Sequence, residues 1–140
     1  MHLYLKGGFL GVLLILSYQS AAQPSISEFM AQNDTVLADE DGAFSDWIEI
    51  YNPSPGATNL NGFYLTDDAS NLAKWKLPAQ SIPAGGYLVV FASGKNRAVA
   101  GTQLHTSFSL DADGEYLALV ASNGTTVVSS FGAVFPEQYP

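Results

Sequence analysis

The stretch at Asp46–Asn52 reads DWIEIYN and alternates between two kinds of side chain. Ile48 and Ile50 fall on one side, whereas Glu49 and Tyr51 fall on the other. Successive side chains of a β-strand point to opposite faces of its sheet, so this period of two predicts a strand with one buried face.

Other segments of the chain are also rich in β-branched and aromatic residues. Tyr87–Ala92 (YLVVFA) is apolar throughout, which is typical of a central strand covered on both faces. Tyr116–Val120 and Thr125–Phe131 flank the sequence Asn123-Gly124, and Asn-Gly between two such runs predicts a β-hairpin because both residues readily take positive φ. Weaker strands are expected at Ser25–Ala31, Phe63–Thr66, Lys74–Leu77 and Phe108–Leu110.

Sequences rich in Gly, Pro, Asn and Asp separate these runs and are typical of turns. No segment after residue 22 carries an apolar stripe with the helical period, and a short helical turn fits only residues 96–103. Many short strands separated by such turns predict an all-β fold, an antiparallel β-sandwich in preference to a barrel.

The first 22 residues are typical of a secretory signal peptide. Lys6 precedes the apolar segment Phe9–Leu16, and Ser20-Ala21-Ala22 supplies the small residues that a signal peptidase recognises. The apolar run is about a dozen residues long, whereas a membrane span needs roughly 20, so we expect no stable membrane span after cleavage. The sequence therefore predicts a secreted or cell-surface protein, cleaved near Ala22, with a mature chain of residues 23–140.

Composition excludes several functional classes. The 140 residues give room for one domain and contain no cysteine, which excludes disulfides, a thiol nucleophile and cysteine-ligated zinc. Without residues 1–22, four Lys and Arg oppose 13 Asp and Glu, so the net charge is 4 − 13 = −9. Because nucleic-acid affinity comes mainly from basic side chains that neutralise phosphates, we expect no nucleic-acid partner.

Few side chains fit a catalytic role. The mature chain has one histidine, His105, which excludes metal sites built on two histidines. His105 as a general base is one interpretation, but a hydrogen-bonded histidine that fixes a loop is the preferred one. The adjacent carboxylates of Asp67 and Asp68 diverge in a turn and are expected to cap backbone amides. The aromatic residues could form a sugar-stacking platform, yet most follow the strand period and are expected in the core. We therefore predict no catalytic residues.

Two acidic segments are calcium candidates, because calcium prefers several converging carboxylate oxygens. With the glycine at position six of an EF-hand loop, neither segment has an acidic residue at position one or twelve. A solvated loop and a hairpin turn are therefore the preferred interpretations, with calcium as the alternative and no other cofactor expected. The candidate ligands are Asp39 and Asp41 in the first segment, and Asp111, Asp113 and Glu115 in the second.

Seven segments, taken in order, resemble the lamin tail domain family in its secreted bacterial form. They cover the chain from about Ile26 to Phe131. The segments are Ile26–Ala31 (ISEFMA), Asp46–Pro53 (DWIEIYNP), Leu60–Asp68 (LNGFYLTDD), Lys74–Pro78 (KWKLP), Ile82–Tyr87 (IPAGGY), Leu104–Leu110 (LHTSFSL) and Gly114–Leu119 (GEYLAL).

This resemblance implies an immunoglobulin-like antiparallel β-sandwich that has no enzymatic activity of its own. In secreted bacterial proteins, domains that look like this one are accessory modules, often beside CotH-type kinase-like domains, nucleases or other hydrolases. The resemblance thus implies a binding or anchoring module for a protein or a cell-surface component. A calcium-stabilised adhesion domain that uses the loops around Asp39–Asp46 and Asp111–Glu115 is a further alternative.

The alternative is the N-terminal accessory domain of a longer secreted enzyme. Phe135–Pro140 resembles the approach to a final family segment, so residues 23–140 are expected to form a domain truncated at its C-terminal end. The catalytic part would then lie beyond residue 140, on a covalently linked downstream domain.

Overall fold

The computed structural model describes residues 22–131 and 136–137. Within these residues the chain forms ten β-strands and no helix, so the all-β prediction is confirmed. No helix of the described part is long and apolar enough to cross a membrane. The predicted signal segment up to residue 21 and most of Phe135–Pro140 lie outside the described residues. The strands are β1 (Ser25–Met30), β2 (Asp46–Tyr51), β3 (Thr58–Asn59), β4 (Tyr64–Thr66), β5 (Trp75–Lys76), β6 (Ser81–Ile82), β7 (Tyr87–Ala92), β8 (Leu104–His105), β9 (Ala118–Val120) and β10 (Val127–Ser130).

The strands form a sandwich of two four-stranded sheets with a small two-stranded sheet. The first sheet has the order β1-β2-β7-β8, the second has the order β10-β9-β4-β5, and β3 pairs with β6. All neighbours are antiparallel except β7 and β8, where Val90 lies opposite Leu104 in a parallel pair. This pair departs from a wholly antiparallel sandwich. It is possible because residues 93–103 are long enough to carry the chain back across the sheet edge.

The core lies between the two large sheets. Ile48 and Ile50 of β2 point inward and are completely buried, as the alternation of that strand predicts. Leu65 of β4 and Leu119 of β9 meet them from the second sheet and are equally buried. Glu49 and Tyr51 alternate with these residues on the outer face of the first sheet and are half-buried, whereas Trp47 is buried.

The hairpin of β9 and β10 forms as predicted, with one difference in its turn. The N–H of Gly124 donates to the carbonyl of Ala121 at 2.9 Å, and only Gly124 takes a positive φ, of 73°. Asn123 instead uses its side-chain oxygen to accept from the N–H groups of Thr125 and Thr126, both at 3.0 Å. The glycine supplies the left-handed residue and the asparagine caps the turn.

Several weaker predictions need correction. Phe108–Leu110 is not a strand, since Ser109 forms only an isolated bridge with Ser93. Residues 96–103 contain no helical turn but an irregular connection that carries one bridge. The two-residue strands β3, β6 and β8 escaped prediction because two residues are too few to show alternation.

Candidate functional site

A cluster of charged side chains holds the β1–β2 connection against the β7–β8 connection. The ammonium group of Lys95 lies 2.5 Å from Asp39 Oδ2 and 2.7 Å from Asp41 Oδ2. The guanidinium group of Arg97 lies 2.8 Å from Glu40 Oε1 and 2.8 Å from Asp41 Oδ2. These five residues, here called the charged clamp, join three consecutive carboxylates to two cations more than 50 positions away in sequence.

Asp39 is the buried member of the charged clamp, with a side chain that is 0% exposed. Its Oδ1 atom accepts from the backbone N–H groups of Asp41 and Ala43, both at 3.0 Å. Its Oδ2 atom accepts from the Ser45 hydroxyl at 3.1 Å and from Lys95. One carboxylate therefore closes the local turn and also anchors the second connection.

His105 extends the cluster into the first sheet. Its ring is completely buried and stacks on Phe91, with 5.3 Å between the ring centroids. Nε2 lies 2.8 Å from Glu40 Oε2, and Nδ1 lies 2.8 Å from the Ser93 hydroxyl oxygen. Because an ionised carboxylate only accepts hydrogen bonds, Nε2 donates to Glu40, and Nδ1 shares a second hydrogen bond with the Ser93 hydroxyl.

The order Ser93, His105, Glu40 resembles a hydrolytic triad only in residue type. A catalytic histidine must pass its proton to a leaving group, whereas this ring is sealed from solvent. The Ser93 oxygen also accepts from the backbone N–H of Lys95 at 3.2 Å, which holds it in the loop. The arrangement agrees with the preferred interpretation of His105 as a residue that fixes a loop.

Burial alone raises the pKa of Asp39, but the hydrogen bonds to this carboxylate act in the opposite direction. The Lys95 ammonium group, the N–H groups of Ala43 and Asp41, and the Ser45 hydroxyl together lower the pKa of Asp39 to about 2. The carboxylate is thus stabilised in its charged form by the same contacts that fix the loop.

The two exposed carboxylates of the charged clamp are shifted in the same direction. The hydrogen bond from His105 lowers the pKa of Glu40, helped by Arg97. Hydrogen bonds from Lys95 and then Arg97 lower the pKa of Asp41. All three acids of the clamp are therefore ionised throughout the neutral range.

The charged clamp predicts a loss of stability in acid. A carboxyl whose pKa is lower in the folded than in the unfolded state stabilises the fold above its ordinary pKa of about 4. That contribution is lost as the pH falls through the folded value, which is about 2 for Asp39. We expect the melting temperature of Lys95→Met to fall less steeply between pH 4 and pH 2 than that of the unmodified protein, as measured by circular dichroism.

The matched control is Lys76→Met, because Lys76 forms no ion pair with any residue that the structure describes. The pKa values of Asp46 and Glu115 are raised by burial, so protonation of these two acids in acid favours the folded state. This contribution is the same in every variant and does not affect the comparison. Parallel curves for Lys95→Met and the unmodified protein would show that the charged clamp contributes nothing to acid sensitivity.

Four large apolar side chains stand in solvent on the two connections that the charged clamp joins. Val36 and Phe44 are 67% and 47% exposed on the β1–β2 connection, where Leu37 is also exposed. Val99 is 62% exposed on the β7–β8 connection. These four residues are here called the apolar rim.

The backbone beneath the apolar rim is ordered by side-chain hydrogen bonds. Asn33 is buried, and its Oδ1 atom accepts from the N–H of Val36 at 3.0 Å. Its Nδ2 group donates to the carbonyls of Leu37 at 2.7 Å and Ser45 at 2.8 Å. Both ends of the exposed segment are therefore tied to one buried side chain.

The two groups of calcium candidates lie in different surroundings. The first pair belongs to the charged clamp, where Lys95 contacts both carboxylates. In the second, Asp111 accepts from the N–H of Asp113 at 3.0 Å, and Glu115 accepts from the N–H of Asp111 at 2.7 Å. Burial raises the pKa of Glu115, and the charges of Asp67 and Asp111 add to this. In the described part of the chain, no group of three or more His, Asp or Glu side chains is placed to hold a metal ion, and calcium binding stays a prediction.

Asn52 organises the other end of the first sheet. The sequence around it indicates only the start of a turn and does not predict this role. Its buried Nδ2 group contacts the carbonyls of Gly56 at 2.8 Å, Ile82 at 3.0 Å and Pro83 at 3.1 Å. Its Oδ1 atom accepts from the Thr58 hydroxyl at 2.9 Å.

The roles of Lys95 and Arg97 in the charged clamp are not predicted from the sequence either, because nothing near them in the sequence indicates their acidic partners.

The architecture defines an immunoglobulin-like β-sandwich module. The family model of the lamin tail domain matches residues 18–134, and the chain belongs to that family. Lamin tail domains are in general non-catalytic binding modules. No curated protein sequence matches the chain.

Proposed function

We propose that the chain is an exported, non-catalytic attachment module that binds a protein of a cell surface through its apolar rim. The observation that carries the proposal is that the exposed apolar side chains lie on the same two connections that the charged clamp joins. The predicted signal peptide supports export, and membership of the lamin tail domain family supports a binding role.

The exposure of the apolar rim is unfavourable for the isolated protein. Large apolar side chains exposed on two connections that are tied together are favourable docking points, because water contact with them is removed when a partner binds. Val36, Phe44 and Val99 all stand on loops, where sandwich domains commonly place their contact residues.

The charged clamp lowers the entropic cost of docking. A free loop loses conformational entropy when a partner orders it, and this loss subtracts from the affinity. Here Lys95 and Arg97 already tie the two connections together, and Gln103 Oε1 accepts from the backbone N–H of Glu40 at 2.8 Å. The rim is therefore presented in a single arrangement before binding.

Capture of a surface component tests the proposal. Immobilised protein of residues 23–140 is incubated with detergent-solubilised envelope of the source organism, and the retained proteins are identified by mass spectrometry. We expect a component whose retention falls by about tenfold or more for Val36→Ser/Phe44→Ser, since removing two buried interface side chains commonly costs that much affinity.

The matched control is Val127→Ser, which removes an exposed valine of β10, away from the two connections. It is expected to retain the component at the level of the unmodified protein. Equal retention by all three proteins, or no specific component at all, would contradict attachment through the apolar rim.

A further inference from the structure

The outer face of the first sheet carries two tyrosines and two glutamates side by side. Tyr51 of β2 lies opposite Tyr87 of β7, with 4.8 Å between the ring centroids and 31° between the ring planes. Two residues before Tyr51 on β2, Glu49 lies opposite Glu28 of β1. Tyr87 is 59% exposed. These four residues, here called the acidic–aromatic face, are separate from the apolar rim and the charged clamp.

The placement of Glu28 opposite Glu49 is unfavourable for the fold by itself. Like charges on directly opposite residues of neighbouring strands destabilise a sheet. The Ser27 hydroxyl donates to Glu49 Oε1 at 2.7 Å, but no Lys or Arg of the described residues pairs with either glutamate.

The four basic residues of the mature chain either form ion pairs with other acids or lie away from Glu28 and Glu49. Lys74 pairs with Asp67, and Lys95 and Arg97 belong to the charged clamp. Lys76 lies on β5, at the edge of the second sheet. The molecule therefore holds two adjacent carboxylates without supplying a positive charge for them.

We propose that the acidic–aromatic face binds an arginine-bearing segment of a protein partner. A guanidinium group forms paired hydrogen bonds with a carboxylate and also stacks on an aromatic ring, so it matches both halves of this face. Glu49 and Tyr51 are two residues apart on one strand, a separation of about 7 Å that one arginine side chain can bridge.

Charge argues against the other occupants of such a face. A second copy of residues 23–140 carries the same net charge of 4 − 13 = −9 and would place more carboxylates against the pair. A neutral sugar could stack on the tyrosines but would leave Glu28 and Glu49 facing each other uncompensated. A cationic segment removes the repulsion and covers the exposed ring of Tyr87.

Titration with a hexa-arginine peptide tests the proposal, with residues 23–140 as the binding protein and calorimetry as the readout. The test variant is Glu28→Gln/Glu49→Gln. The matched control, Asp34→Asn/Asp113→Asn, removes the same total charge from exposed residues elsewhere. We expect the affinity to fall by about tenfold for the test variant and by less than about twofold for the control.

Thermal melting shows that the test variant is folded and adds a second readout. Because the substitutions remove the like-charge pair, the melting temperature is expected to rise by about 2 °C. Tyr87→Ala should weaken binding of the peptide without this rise, and a hexalysine peptide should bind more weakly than hexa-arginine.

Three outcomes would overturn the proposal. The first is equal weakening by both double variants, which would show that the peptide responds to net charge alone. The second is no measurable binding to the unmodified protein. The third is binding of a neutral hexasaccharide that Tyr87→Ala abolishes and Glu28→Gln/Glu49→Gln leaves unchanged, which would make a sugar the occupant.

Discussion

Asn52→Asp is expected to lower the free energy of unfolding by about 4 kcal/mol at pH 7, because it places an unpaired charge in a buried, hydrogen-bonded site. The two side chains have the same shape, so packing is preserved. The amide group that contacts the carbonyls of Gly56, Ile82 and Pro83 becomes a carboxylate oxygen that repels them. The measurement is denaturant unfolding followed by tryptophan fluorescence.

The pH dependence of this variant separates charge from geometry. Burial raises the pKa of a carboxyl at this position, so the destabilisation is present above the folded pKa and is relieved as the pH falls through it. The difference in the free energy of unfolding between the unmodified protein and Asn52→Asp should therefore be smaller at pH 4 than at pH 7.

Asn123→Asp is the matched control, because its side-chain oxygen accepts from two backbone N–H groups in an exposed turn. A carboxylate serves that role equally well, so little change in stability is expected. If Asn52→Asp and Asn123→Asp had similar effects, Asn52 would not organise the fold as its contacts indicate.

Asp39→Ala is expected to lower the free energy of unfolding by about 3 kcal/mol, since it deletes a buried carboxylate and leaves its donors without a partner. Those donors are the N–H groups of Asp41 and Ala43, the Ser45 hydroxyl and the Lys95 ammonium group. Lys95 is partly exposed and regains some hydration, which keeps the loss below that of a fully buried ion pair. Denaturant unfolding is again the measurement.

Two further variants divide this effect into its parts. Asp39→Asn keeps an acceptor for the turn and removes the charge, so its effect should be intermediate. Asp41→Asn affects an exposed partner of the same lysine and should be the mildest of the three. An Asp39→Ala effect no larger than that of Asp41→Asn would show that burial of Asp39 adds nothing to stability.

Asp39→Ala should also weaken capture of the partner by the apolar rim, although it removes no rim residue.

The elements that sequence predicted well are those whose signal is local. The alternation in Asp46–Asn52 and the apolar run Tyr87–Ala92 became β2 and β7, which form the middle of the first sheet. Asn123-Gly124 became a hairpin turn because its geometry depends on the two residues themselves. Local pattern wrongly predicts a strand at Phe108–Leu110 and does not reveal the two-residue strands. An apolar run forms a strand only where a neighbouring strand offers its hydrogen-bonding edge, and local sequence does not contain that information.

The candidate site shows the same division. The two acidic segments look alike in sequence and both suggested calcium. In the fold, one meets Lys95 and Arg97 and the other closes a turn on itself through Asp111 and Glu115. The outcome for the first segment cannot be inferred locally, because its partners lie 54 to 57 positions away, whereas the contacts within the second segment span four positions or fewer.

The sequence by itself determined the all-β class, the acidic charge and the resemblance to the lamin tail domain family, since these depend on composition, local period and ordered motifs. Only the tertiary structure decided which charges pair and which face each other unpaired. Glu49 lies beside Glu28 because of strand register, and Asp39 lies beside Lys95 because of how two connections pack. Coulomb energy depends on distance in space, and folding sets that distance between residues far apart in the chain.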